Sequence, residues 1–329
     1  MKINVCFISD NNYVKYLAVC MVSILKNANI EDKLRFYILG NNITDINKNE
    51  ILKLKKIKDC EITIIPIPEQ HFKELPNYNL EYITKTAYYR YLIADVLKDI
   101  DKIIYLDSDV IVLSSLKNLF DENIENYYLA GVEDICYYFY NKFHCTNYKN
   151  FINSGVLLVN LELWRKTNIS KTLFDVTKKE GNKHLFIDQN VINIVCGKKI
   201  KLLDLSWNIQ RTFFEVNNLL YHPLKKQIIK SFKNIKIIHY TSIKKPWISY
   251  TPLRKYFVKY SKFSPFDYST GTVFKLKILI EFIVYWIISV CFILKFIISP
   301  VIKIYRDKQF IKVRIFCLFE FKVYKISNN

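Results

Sequence analysis

Two acids one residue apart carry the first chemistry in this chain. In Asp101-Lys-Ile-Ile-Tyr-Leu-Asp-Ser-Asp-Val110, the residues Lys102 to Leu106 read as a buried strand, and Asp107 and Asp109 follow it. Alternate side chains of extended backbone point the same way, so both carboxylates can face one point. Hard oxygen donors at that end of a strand suit a divalent cation such as Mn²⁺ or Mg²⁺. Open α/β sheets also bind their ligands there, and a cation so held can hold a diphosphate. The same triplet reads equally as a polar loop after a core strand, so its neighbours must decide.

Those neighbours are Asp10-Asn11-Asn12-Tyr13, Arg90, the run Phe151 to Trp164 (FINSGVLLVNLELW), Asp188-Gln189-Asn190, and His239 with Lys245-Pro246-Trp247 six residues on. Each has a bland reading as well. His239 could be a satisfied core histidine, Arg90 could stack on the tyrosines around it, Asn153 could serve a turn, and Asp188 could cap a helix. The chain holds only six glycines and neither a G-x-G-x-x-G nor a G-x-x-x-x-G-K-[ST] motif. A nucleotide bound here is therefore not cradled by a glycine-rich loop, which favours a metal-dependent phosphate site.

The elements that must position these residues follow from periodicity. Residues 2–8, 34–39, 61–67 and 102–106 read as strands. Tyr13 to Lys26, Asp45 to Ile57 (with Thr44 as N-cap) and Thr86 to Leu97 read as helices. Alternating strand and helix predicts a parallel sheet covered on both faces. Beyond residue 110 the pattern is mixed: strands over Tyr127–Val132, Gly155–Asn160 and Ile235–Tyr240, and helices over Glu162–Lys179 and Asp188–Val195.

An apolar fraction of 51% and an aromatic fraction of 16% over 329 residues exclude a disordered chain. The net charge is +19, and residues 253–329 hold fourteen Lys or Arg against four Asp or Glu, a net of +10. An anionic partner is implied. Eight scattered cysteines show no zinc spacing and read as small buried groups in a reducing compartment. The N-terminal apolar run is too short for a signal peptide, so the cytosol is expected.

Taken in order, the Asp10 loop, the Arg90 helix, Y-L-D-x-D, FINSGVLLVNL and H-Y-x-x-x-x-K-P-W resemble glycosyltransferase family 8, which includes bacterial lipopolysaccharide galactosyl- and glucosyltransferases and glycogenin. The resemblance covers roughly residues 2–250. It implies a GT-A fold, Rossmann-like, with a mixed and mainly parallel sheet. It also implies a UDP-glucose or UDP-galactose donor, Mn²⁺, and transfer with retention at the anomeric carbon. Asp107, Asp109 and His239 would then ligate the metal, and Lys245 would stabilise the phosphates as a point charge. By the same resemblance Asp10 and Asn12 contact the uridine part. Arg90, Asn153, Asp188 and Gln189 line the sugar-donor pocket, and Asp134 lies near the reacting sugar. Asp134, Asp188 and Gln189 are thus the candidate catalytic residues. Because Gln189 is an amide and a poor nucleophile, front-face substitution is expected rather than double displacement. Two positions depart from the family pattern: Ser242 stands where Gly is usual, and Asn190 where many members have Asp. The serine casts the shape of its loop, and hence donor affinity, in question.

Residues 272–305 read as an apolar helix with a narrow polar stripe (Lys277, Glu281, Lys295, Ser299, Lys303), flanked by basic residues and interrupted at Pro300. The expected organisation is a catalytic domain over 1–262 and a basic, hydrophobic membrane-association segment over 263–329. That segment would hold the enzyme on the inner face of the cell membrane, near a saccharide acceptor such as lipopolysaccharide core. No nucleic acid is expected as a partner. The rival readings are a metal-dependent nucleotidyltransferase or phosphatase built on the same Asp pair, and a non-catalytic basic module binding lipid or nucleic acid.

Overall fold

The computed structural model describes residues 2–76, 85–136, 151–180, 187–268, 272–298, 302–306, 310–315 and 319–324. Four apolar runs make the first strands: β1 (Lys2–Asp10), β2 (Lys33–Asn41), β3 (Cys60–Pro66) and β4 (Lys102–Leu106). They pair in parallel in the order β3-β2-β1-β4. After β5 (Val110–Val112) leaves this sheet, β6 (Leu129–Glu133), β7 (Ile152–Asn160) and β8 (Ile200–Leu202) complete it as β3-β2-β1-β4-β7-β6-β8. Only β7 runs against its neighbours, so the seven-stranded sheet is mixed and mainly parallel.

Successive side chains on β1 go to opposite faces. Val5 and Phe7 join one apolar cluster with helix α1 (Val14–Asn27), while Cys6 and Ile8 join another. The second cluster is covered by residues such as Tyr88, Trp164, Leu173 and Val191 from the opposite layer. Strand order reverses direction between β1 and β4, which opens a crevice beyond their C-terminal ends. Asp10 and Asp107 stand at those two ends.

Helix α2 (Asp45–Leu52) begins as its sequence requires: the Thr44 hydroxyl accepts the Asn47 N–H at 3.4 Å. Three expected helices are divided; the one expected over Asp45–Ile57 is α2 followed by a 3-10 helix, Lys53–Lys56. The segment expected over Thr86–Leu97 is a 3-10 helix, Lys85–Leu92, followed by one α turn, Ile93–Val96. Tyr88, Tyr89, Arg90 and Tyr91 are all buried there. Burial at four consecutive positions surrounds the segment with packing, and no single apolar face sets its period. The helix expected over Glu162–Lys179 is two, Leu161–Lys166 and Ile169–Glu180. Asn168 between them has φ 52°, a left-handed conformation that asparagine tolerates and that ends a helix.

A small second sheet has the order β5-β10-β9, with β9 at Ile209–Gln210 and β10 at Ile237–His239. Strand β10 is antiparallel to β5, pairing His239 with Val110, and parallel to β9, pairing His239 with Gln210. It lays His239 beside the residue that follows Asp109.

The chain divides into compact units at Met1–Ser269 and Thr270–Asn329. In the second, the helix runs over Thr272–Ile298 and not to residue 305. Strands β11 (Ile302–Arg306), β12 (Phe310–Ile315) and β13 (Phe319–Tyr324) form an antiparallel sheet of their own. β-branched and aromatic residues dominate these runs and favour extended pairing over continued helix. Ser299 and Pro300 lie outside the described residues, as do the side chains of Lys295 and Lys303. On the described part of the helix, Lys277 and Glu281 pair at 3.9 Å, and Leu276, Ile280, Ile283 and Trp286 are exposed. Among the described residues no helix is long and apolar enough to cross a membrane.

Candidate active site

The crevice beyond β1 and β4 is a cavity of about 460 Å³. Asp10, Arg90, Asp107, Asp109, Asp134, Asn153, Asp188, Gln189, His239 and Lys245 all line it. Asn12 is exposed and is not among the lining residues. Asp10 spends one carboxylate oxygen on the loop that starts α1, accepting the N–H groups of Asn12 at 2.9 Å and Tyr13 at 2.8 Å.

Asp107, Asp109 and His239 each offer one ligand atom, and these lie within 4.8 Å of one another. His239 Nε2 is 3.2 Å from Asp109 Oδ1 and 3.7 Å from Asp107 Oδ2. Adjacent ligands of an octahedral ion of this class, each about 2.1 Å from it, stand about 3 Å apart, so the three side chains fit one divalent cation. The backbone fixes them. Asp107 N–H donates to Gly155 O at 2.8 Å, Ser108 Oγ donates to Ile8 O at 2.9 Å, and Tyr240 N–H donates to Asp109 O at 3.1 Å.

Around the two acids, other side chains hold the unused oxygens. Asp107 Oδ1 accepts from Tyr105 Oη at 2.5 Å and Arg90 Nη2 at 3.2 Å, which leaves Oδ2 toward His239. Asp109 Oδ2 accepts from the Lys245 ammonium, which also donates to Tyr240 O at 2.9 Å. Burial alone would raise the Asp109 carboxyl. The Lys245 ammonium and His239 more than offset it, and the group sits well below the usual carboxylate range.

Arg90 is a strut between two acids. Its Nη1 donates to Ser154 O at 3.0 Å and Ser154 Oγ at 2.8 Å and lies 3.2 Å from Asp188 Oδ2, while Nη2 reaches Asp107. The guanidinium also lies over the Tyr105 ring, 4.8 Å from its centroid. The third group of residues is an amide network. Gln189 Oε1 accepts from Ser154 N at 3.1 Å and Asn153 Nδ2 at 3.1 Å, and Gln189 Nε2 donates to Asp134 Oδ2 at 3.0 Å.

Four contributors escaped the sequence: Tyr105, Ser154, Gly155 and Asn208. A Cβ on Gly155 would lie 2.6 Å from Asp107 Oδ2 and inside the contact distance of the His239 ring, so only glycine lets β7 pass this close. The YLDSD and INSG runs contain the first three, but nothing marks Asn208 in a single sequence. Ser242 lines the cavity with φ 75°, the left-handed conformation that glycine favours. The serine bears the strain of that conformation. Asn190 is buried in the helix Ile187–Cys196. Residues 137–150, which follow Asp134 and Cys136 of the cavity wall, lie outside the described residues.

Comparison with known proteins agrees with this geometry. The family model described as "Glycosyl transferase family 8" matches residues 4–251. A Haemophilus influenzae relative, provisionally named a glycosyltransferase, is 32% identical over 248 residues, which are 74% of this chain and 72% of its own length. The lipopolysaccharide 1,3-galactosyltransferase of Salmonella typhimurium is 27% identical, over 81% of this chain and 80% of its own. The crystal structure of the galactosyltransferase LgtC with donor and acceptor sugar analogues has the same fold, with a TM-score of 0.71 at 22% identity, covering 84% of this chain and all of that one. The fold is therefore of the GT-A type, and the nucleotidyltransferase, phosphatase and non-catalytic readings fall away. Its matched motifs, its sheet and its acid-lined crevice make this chain a member of glycosyltransferase family 8.

Proposed function

We propose that the protein is a retaining hexosyltransferase that uses UDP-glucose or UDP-galactose and Mn²⁺, or Mg²⁺ in its place. One observation carries the reading: two carboxylates and an imidazole converge at one end of the same cavity that Asp188, Gln189 and Lys245 line. The volume is in the range of small-molecule sites. The mixed oxygen and nitrogen donor set favours Mn²⁺ over Mg²⁺.

When bound, the cation neutralises charge on the departing diphosphate as a Lewis acid. Lys245 adds a second positive charge beside Asp109, and Asp10 offers its remaining oxygen to the nucleoside end. Gln189 is engaged at both amide atoms and Asp188 is paired with Arg90. Neither is placed to act as a free nucleophile, which supports front-face substitution. In that step the bond from the anomeric carbon to the phosphate oxygen breaks, the acceptor oxygen bonds to the same face, and its proton passes to the departing phosphate. Asp134, Asn153 and Gln189 orient the hexose.

The acceptor of this reading is a lipid-linked saccharide such as lipopolysaccharide core, by analogy with the lipopolysaccharide transferases it is similar to. The domains are a catalytic part, 1–262, and a membrane-association part, 263–329, lying on the inner face of the cell membrane. The exposed apolar residues and the net +10 of the C-terminal region support that placement. Truncation near residue 265 should release the protein into the soluble fraction and spare sugar-nucleotide hydrolysis. Retention in carbonate-washed membranes would move the attachment elsewhere. The decisive test is a panel of UDP-sugars with Mn²⁺, scored for hydrolysis and transfer. Asp109→Ala and His239→Ala should each abolish turnover, and full activity in both would remove the metal reading.

A further inference from the structure

The imidazole of His239 is buried, at 4% exposure, and its two nitrogens face different chemistry. Nε2 faces the carboxylates of Asp107 and Asp109. Nδ1 lies 3.1 Å from Oδ1 of Asn208, a residue with no exposed surface at all. The protons in this contact can be assigned along a chain of bonds. Gly155 N–H can only donate, and it donates to Asn153 Oδ1 at 3.1 Å, which fixes that atom as the amide oxygen. Asn208 donates its Nδ2 to the same oxygen at 3.0 Å. The atom that Asn208 presents to His239 is then its own oxygen, an acceptor only. His239 Nδ1 must carry a proton, and Nε2 is left as the nitrogen that faces the two acids and can share a cation with them.

The sheet explains why Asn208 is there. It immediately precedes β9, which pairs with β10 so that Gln210 lies opposite His239. At the other end, Asn153 donates to Gln189 at 3.1 Å and to Asp134 at 3.3 Å. One amide therefore connects the imidazole to the residues at the hexose end of the cavity.

We propose that Asn208 is a positioning residue for the cation site: it takes the Nδ1 proton of His239, holds the imidazole in the ligating tautomer, and couples that ligand through Asn153 to Gln189 and Asp134. The proposal rests on the metal-dependent reading above. Partners of this kind that orient a ligating histidine typically contribute about 10–100-fold in metal affinity.

The test uses the full chain and Mn²⁺ alone, with free ion measured by electron paramagnetic resonance. Asn208→Leu should bind Mn²⁺ about 10–100-fold more weakly than the unaltered protein. Asn208→Asp keeps an acceptor for Nδ1–H and loses the donation to Asn153, so it should bind no more weakly than the unaltered protein. If Asn208→Leu binds normally, or Asn208→Asp binds as poorly as Asn208→Leu, the proposal is wrong. A second measurement needs neither ion nor variant: ¹⁵N spectra of the metal-free protein should show His239 protonated at Nδ1, the nitrogen that faces Asn208. The reverse tautomer would overturn the proposal even if Asn208→Leu fails to fold. An unaltered protein that binds no Mn²⁺ but shows Nδ1 protonated would overturn the metal-dependent reading, and the cation-site role of Asn208 with it, leaving only its orientation of the imidazole.

Discussion

Trp247 stacks face to face on Tyr16, with ring centroids 3.7 Å apart and planes inclined by 9°. Tyr16 belongs to α1, and Trp247 follows Lys245 by two residues. The edge of Tyr13 meets the same indole at 6.1 Å and the Phe257 ring lies 5.5 Å away. The loop that carries the Lys245 ammonium is thus pinned by aromatic contact to the helix that starts beside Asp10. Trp247→Ala should cost about 2 kcal/mol of stability. It should also raise KM for the sugar nucleotide several-fold with a smaller effect on kcat, because Lys245 would no longer be held in place. Steady-state kinetics beside a denaturation curve will check both parts.

Gly155→Ala is expected to be far more damaging than its size implies. The new methyl group must displace His239 or Asp107, and neither can move without leaving the point where both converge with Asp109. Mn²⁺ affinity should fall about tenfold or more and turnover with it. Calorimetric titration with Mn²⁺ will show whether the ligands have moved; unchanged affinity would mean that β7 can shift to make room.

Ser242→Gly should stabilise the protein. A non-glycine residue held in the left-handed region costs on the order of 1–3 kcal/mol, and glycine gives back about 0.4–1 kcal/mol through the greater freedom of its unfolded chain. The buried Ser242 hydroxyl has no hydrogen-bond partner among the described residues, so its loss carries no penalty. The net gain should be about 1 kcal/mol, read as a higher Tm, with the donor KM little changed.

His222 confers an acid sensitivity unrelated to the active site. Burial holds its imidazole below its ordinary pKa of 6.5, partly offset by a hydrogen bond with the Ile135 backbone, and Nδ1 accepts the Leu224 N–H at 3.0 Å. The unfolded chain binds a proton at this residue as pH falls through about 6.5, while the folded chain binds it only at a lower pH. Stability therefore drops on acidification below that point. Thermal unfolding at pH 7.5 and pH 5.5 should show a larger loss for the unaltered protein than for His222→Gln.

Much of the fold was legible because its causes are local. Apolar runs that end in acids gave β1 and β4 with their ends near Asp10 and Asp107, and Thr44 announced α2. The site was legible where motif spacing carried it, as with His239 and Lys245. What stayed hidden depends on partners distant in sequence. The coil around Arg90 tightens to a 3-10 helix because tyrosines pack on every side of it, which no single-face pattern records. The break at Asn168 needs a left-handed residue that asparagine permits but does not demand. Strand β11 follows closely on an apolar helix and its short run merges into that pattern, while β12 and β13 lie beyond it and show no periodicity long enough to read. Asn208 acquires its role only when β9 lies against β10.

The small sheet also dictates when this chain becomes competent during synthesis. Asp107 and Asp109 leave the ribosome early, but His239 arrives on the last strand of its sheet to be made. Until β10 inserts between β5 and β9, the nascent polypeptide has an acidic crevice and no imidazole to complete it. A chain interrupted before residue 237 would lack one of the three side chains that converge on a single point.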